Sequence, residues 1–187
     1  AMPGSFRKYL HARDLLVDEL TAVIPYNLRK PGEPLPSTLG NLFGLVFMGL
    51  PVGAGERRER LREVHERMDR IKQSPEGAIS YGLLGALGKT PVQVEKRLID
   101  LLSSKGTAVI TNVPGPREKV TLAGKTVAGV LVWAPSSGDI PMTVSIFSYA
   151  GEVTVGLMVD AGLIPDPDEI VRGFDTELRA LLRLKRP

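Results

Sequence analysis

Ala108-Val109-Ile110-Thr111-Asn112-Val113-Pro114-Gly115-Pro116 decides how this chain reads: an apolar run breaks into an Asn-Val-Pro-Gly-Pro elbow. Proline presets φ at the second position of a turn, and glycine accepts the positive φ that a type II turn needs at the third. The second proline keeps the chain from rejoining a ladder at once. The segment therefore reads as a buried strand that ends in a stiff, shaped elbow.

Working outward, strands are expected at 107–111, 125–133, 142–149 and 152–160. The last two flank Ala150-Gly151, a short hairpin connection. Upstream, Thr90-Pro91 reads as an N-cap and an N1 proline opening a helix that runs to about Leu102. Residues 77–88 form a glycine-rich, weakly helical stretch without a charge. A tunnel wall or a lipid contact is one reading of it, and a buried helix against the sheet is the reading preferred here. Residues 55–73 are the clearest helix, with Leu61, Val64, Met68 and Ile71 on one stripe. Glu56/Arg60, Glu63/Arg67 and Glu66/Arg70 are spaced as i,i+4 pairs on a solvated face.

Residues 42–50 are apolar throughout, as in a strand buried on both faces, and 20–25 is a shorter strand candidate. Between them, 27–40 is rich in proline and glycine and reads as a long surface crossing. A helix is expected at 6–16. A last one starts at Asp166-Pro167-Asp168-Glu169, with Arg183, Lys185 and Arg186 at its far end, an order that complements the helix dipole. The order is helix, two strands, three helices, four strands, helix. That is an α/β or α+β chain with one mixed β-sheet covered by helices.

The 187 residues suffice for one domain, and 43% hydrophobic with 24% charged residues is an ordinary globular composition. The chain has no cysteine and two histidines, which excludes a disulfide scaffold, thiol chemistry and a zinc finger. The net charge of +3 is spread among interleaved acids, so nucleic acid is not an expected partner. The first five residues lack the apolar core and cleavage site of a signal peptide, and no apolar run has the length of a membrane span.

No complete catalytic constellation emerges. His65 and Asp69 have an H-x-x-x-D spacing, but they lie in a charge-laced helix, where i,i+4 contact is routine, and Arg70 follows where a glycine would admit substrate. No G-x-S-x-G elbow is present, and Gly53-Ala54-Gly55 lacks the rest of a phosphate loop. Trp133, at an expected strand end, reads as core.

Several segments taken together resemble one family. They are Thr111–Pro116, Leu122-Ala123-Gly124, Pro135, Met142-Thr143-Val144-Ser145-Ile146, Ser148-Tyr149-Ala150-Gly151, Gly156, Asp160 and Ile164-Pro165-Asp166. The family is the C-terminal half of the bacterial wax ester synthase/diacylglycerol acyltransferases, whose pattern has Ser-Asn-Val-Pro-Gly-Pro where this chain has Thr111. Pro25-Tyr26-Asn27-Leu28-Arg29 and Gly40-Asn41-Leu42-Phe43-Gly44 are similar to the region preceding it. The resemblance implies the C-terminal half of a chloramphenicol-acetyltransferase-like (CoA-dependent acyltransferase) fold, in which a tunnel runs between two halves. It also implies acyl-CoA as co-substrate, no other cofactor and no metal, and neutral lipid as acceptor or product.

The family's base belongs to a His-His-x-x-x-Asp-Gly motif in the other half, which this sequence does not contain. The chain is therefore expected to be one domain, residues 1–187, that is inactive alone and partnered by that catalytic half or by a second copy. Thr111, Asn112, Pro114, Gly115, Pro116 and Asn41 are expected at the tunnel or the domain interface; whether the elbow acts through turn geometry alone stays open. The expected location is cytoplasmic, with peripheral contact at a membrane or lipid-droplet surface left open. The alternative is a non-catalytic acyl-CoA, lipid or protein-binding module of the same fold.

Overall fold

The computed structural model describes residues 1–29, 40, 42–135 and 139–184. In order the chain forms α1 (Met2–His11), β1 (Glu19–Asn27), β2 (Phe43–Pro51), α2 (Arg57–Gln73), α3 (Glu76–Leu87) and α4 (Val92–Ser103). It continues with β3 (Ala108–Pro114), β4 (Thr121–Leu122), β5 (Lys125–Thr126), β6 (Met142–Tyr149), β7 (Glu152–Val159) and α5 (Pro167–Leu182). Five strands make one sheet in the order β2-β1-β3-β6-β7. β1, β3 and β6 run parallel, while β2 and β7 close the edges antiparallel. This is the mixed, helix-covered α/β sheet the sequence implies.

Period-two alternation sends one set of side chains from every strand toward the helices. Ala22, Met48, Ala108, Val144 and Leu157 share that face, where they pack with Phe6 of α1, Ile71 of α2 and Ile170 of α5. α1 and α5 are locked together by polar contacts at their crossing. Ser5 Oγ donates to the Ile170 carbonyl at 2.5 Å, and Tyr9 donates to Asp166 at 2.7 Å. Arg13 lies 3.7 Å from the Tyr9 ring centroid and pairs with Asp166 and Glu169. Burial and the bond to Asp166 hold the Tyr9 hydroxyl above its ordinary range.

Several expectations need correction. β2 is not buried on both faces. It is an edge strand whose Val46, Met48 and Leu50 are buried while Phe43 and Phe47, on the opposite face by alternation, stay exposed. The strand expected over 125–133 is only the two-residue hairpin β4–β5. β6 is already flanked by β3 and β7, so 127–135 crosses the sheet instead of joining it. Side chains satisfy its backbone: Ala134 N donates to Ser145 Oγ, Thr143 Oγ1 donates to the Ala134 carbonyl (both 2.8 Å), and Tyr149 donates to the Val127 carbonyl at 2.9 Å. Trp133 is 54% exposed on this crossing and not core.

α3 is not a buried helix; most of its surface faces outward. α4 starts at Val92, after Pro91, and Thr90 Oγ1 bonds back to the Leu87 carbonyl at 2.7 Å. On α2, Leu61 turns outward, and the Glu63–Arg67 pair forms at 3.1 Å, but Arg60 is buried and reaches Glu177 instead of Glu56. The surface crossing expected over 27–40 falls mostly on residues outside those described, as do Lys185 and Arg186.

Candidate functional site

β3 lies in the middle of the sheet and carries the elbow at its carboxyl end. Open sheets characteristically bind ligands just beyond the carboxyl ends of their parallel strands. Gly115 is not held there by a positive φ, which among described glycines occurs only at Gly124 and Gly151. The type II reading of the turn is therefore wrong, and close approach is the reason for the glycine. A Cβ on residue 115 would lie 2.3 Å from the Ser148 carbonyl and 2.5 Å from the Phe147 ring. The bare backbone lets Gly115 N donate to that carbonyl at 2.9 Å, and Ala150 N closes the elbow on the Pro116 carbonyl at 2.9 Å. Ala150 and Gly151, with φ of 50° and 86°, supply the tight β6–β7 turn against which the elbow rests.

Alternation along β3 separates the elbow residues. Asn112 shares the face of Ile110, which turns toward the helices, while Thr111 lies on the opposite face, half-buried and in register with Ser145. Asn112 and Pro114 are exposed, and the Asn112 amide makes no hydrogen bond to a described residue. Asn41 lies outside the described residues.

The helical face is incompletely filled where Asn112 stands. A cavity of about 550 Å³ runs between the sheet and α2, bounded by the start of α1 and by Phe174 of α5. Its walls are apolar: Ile24, Leu50, Val64, Met68, Ile110, Ile146 and Val155. Tyr26, Asn27, Lys72 and Asn112 add a few polar groups. That size and mixture suit a small organic ligand with one long apolar part. Neither histidine belongs to this wall. His11 is exposed, and His65 pairs with Asp69 at 3.1 Å on the outer face of α2, where it is 74% exposed.

A second polar centre, unforeseen in the sequence, braces the cavity from behind. Glu177 of α5 is 2% exposed and meets Lys8 at 2.8 Å, Arg57 at 3.1 Å and Arg60 at 2.8 Å. Arg60 also donates to the carbonyls of Ala54 and Gly55, at 2.6 and 2.7 Å, so this glycine loop serves arginine and not phosphate. Burial pushes the Glu177 carboxyl upward, but the hydrogen bonds and charges of Lys8 and Arg57 outweigh it and bring the pKa from 4.5 to about 2. The four residues come from three helices, which hides the cluster in sequence. One signal was legible: Glu177 interrupts the apolar stripe Ile170, Phe174, Leu181 of α5.

These features define a class first. The fold is that of a wax ester synthase/diacylglycerol acyltransferase structure from Marinobacter aquaeolei, with a TM-score of 0.64 at 23% identity, covering 95% of this chain and 40% of that one. The WS/DGAT C-terminal domain model matches residues 39–182, and the chain belongs to that family. Among its relatives, a putative diacylglycerol O-acyltransferase of Mycobacterium bovis is 25% identical over 173 residues, or 90% of this chain. Wax ester synthase/diacylglycerol acyltransferase 8 of Arabidopsis thaliana is 28% identical over 152 residues, or 76% of this chain. The chain spans 37% of the length of the Mycobacterium protein and 29% of the Arabidopsis one.

Proposed function

We propose that this chain is the C-terminal part of an acyl-CoA-dependent O-acyltransferase that makes wax esters or triacylglycerol from a fatty alcohol or diacylglycerol. Its share of the work is to shape the substrate tunnel. The observation that carries the reading is the meeting of the family's elbow with the apolar cavity: Asn112 stands in the wall of a space lined by Ile110, Ile146 and Met68.

An alkyl chain entering that space gains about 0.8 kcal/mol for each methylene removed from water. The elbow, held by Gly115 against β6, fixes the reacting end. The Asn112 amide can donate to a carbonyl and accept from a hydroxyl. The general base that deprotonates the acceptor alcohol before it attacks the thioester comes from the other half, since both histidines here lie exposed on helices. The products are the ester and free CoA.

The test joins this chain to the preceding part of the Mycobacterium relative in one polypeptide and follows labelled palmitoyl-CoA into ester with hexadecanol or dioleoylglycerol. Ester formation is expected, with a loss in kcat when Asn112→Ala is introduced. A joined protein that folds and binds acyl-CoA but transfers nothing would assign the chain to binding alone.

A further inference from the structure

The cavity behind Asn112 does not end in packed side chains. Asn112, Ile146 and Val155 are register partners in one row across β3, β6 and β7, so they follow one another on the helical face. Val155, Met2 and Phe174 stand at the far end of that row, and the same three side chains also wall a second space of about 350 Å³. This space is a groove between β7 and α5, completed by Val153, Leu157, Ile170, Val171 and Leu178. Every residue around it is apolar, and its rim is open: Val153 is 65% exposed and Val171 52%. Protein interiors hold few voids larger than a water molecule, so two apolar spaces parted only by side chains call for a ligand.

The partition can yield without disturbing the fold. Met2 and Phe174 are half-buried and border empty space on both sides. Methionine is unbranched and adapts to irregular gaps. The backbone under Phe174 is fixed. A Cβ on Gly173 would lie 2.7 Å from Ser5 Oγ, Ser5 holds the Ile170 carbonyl, and Glu177 is ion-paired one turn further on. Only the ring is left to swing. Asn112 and Val155 are two strand spacings apart, about 10 Å. An extended alkyl chain covers that distance in about eight carbon–carbon bonds, at roughly 1.25 Å each.

We propose that Phe174 is a specificity-determining gate for alkyl chain length. A chain whose polar end lies at Asn112 follows the row, passes Phe174 after about eight carbons and lays its remaining length in the groove between β7 and α5. The inference rests on the acyl-transfer reading for placing the polar end at Asn112. The chain belongs either to the acyl-CoA or to the acceptor alcohol.

Equilibrium binding to this protein tests the proposal in two series: octanoyl-, lauroyl-, palmitoyl- and arachidoyl-CoA, and the straight-chain alcohols of the same lengths. Each methylene that finds new apolar space tightens binding by up to about fourfold. In wild type, affinity is expected to keep rising beyond the octanoyl length in one series, which identifies the source of the chain. Phe174→Trp should halt that rise, weakening the palmitoyl-length ligand by about tenfold or more and leaving the octanoyl-length one unchanged. Phe174→Ala should tighten the arachidoyl-length ligand by about tenfold. Val171→Glu puts a charge on the exposed rim, where it does not threaten folding, and should weaken only the ligands long enough to pass the gate. A loss that is equal at every length, a length profile that no substitution moves, or a protein that binds neither series overturns the proposal. Absence of ester formation by the joined polypeptide is a different result: it counts against the acyl-transfer reading, while the break in binding at Phe174 still stands.

Discussion

Replacing Gly115 by alanine probes the elbow with a single methyl group. The added carbon would sit 2.3 Å from a backbone oxygen, that of Ser148, and 2.5 and 2.8 Å from two atoms of the Phe147 ring. A flexible side chain could swing away, but the Ser148 carbonyl is fixed by its place in β6. The end of β3 must therefore lift, which lengthens the 2.9 Å bond from Gly115 N and loosens the Ala150–Pro116 closure. Overpacking of this kind costs about 1–3 kcal/mol, and a backbone hydrogen bond contributes about 1 kcal/mol. A loss of about 2–4 kcal/mol lowers the melting temperature of a chain this size by roughly 5–15 °C. Urea unfolding followed by far-UV circular dichroism reads the free energy directly. Gly129→Ala is the matched control, because a Cβ there meets nothing within 4 Å. If Gly115→Ala is as stable as Gly129→Ala, the elbow is not held by close approach to β6, and the reasoning fails.

Glu177 makes stability pH-dependent. Its folded pKa lies below its ordinary 4.5, so its contribution is complete above about 4.5 and is lost as pH falls toward about 2. That loss is about 3 kcal/mol in acid unfolding, and Glu177→Gln should remove this pH dependence. At neutral pH the same substitution should cost about 3–5 kcal/mol in urea, because Arg60 stays buried without its partner. Ser80→Ala leaves Leu45 N unpaired and should lower stability by about 1 kcal/mol while hastening proteolysis near α3. Asn112→Ala, exposed and without a hydrogen bond to a described residue, should change stability by less than about 0.5 kcal/mol, so any effect on acyl transfer is chemical. Val155→Trp fills the cavity from β7. Binding of palmitoyl-CoA, read as a thermal shift, should disappear while the urea midpoint moves little.

The sheet was legible because its strands announce themselves: β6 and β7 around Ala150-Gly151, and β3 ending at its prolines. The mixed character of the sheet was expected, but its order β2-β1-β3-β6-β7 and its parallel pairs could not be read from periodicity. The errors share one cause, that apolar runs report burial without saying which side is buried. Residues 42–50 read as a strand buried on both faces and 77–88 as a helix buried against the sheet, but β2 is an edge strand and α3 lies along that edge with most of its surface outward. The run at 127–135 carries strand-like residues, but no partner edge is free beside β6. At the site, the Asn-Val-Pro-Gly-Pro signature located the elbow, while the reason for Gly115 depended on Phe147 and Ser148, more than 30 residues away. Glu177 was hidden for a similar reason: Lys8, Arg57 and Arg60 reach it from two other helices.

The central claim is that this chain supplies shape and apolar surface, while the proton-moving group comes from the other half. Release of free CoA from palmitoyl-CoA, in the presence of hexadecanol and the purified chain alone, tests it most directly. The account predicts no release above the uncatalysed background, with release restored in the joined polypeptide. Steady ester formation by the chain alone would contradict it.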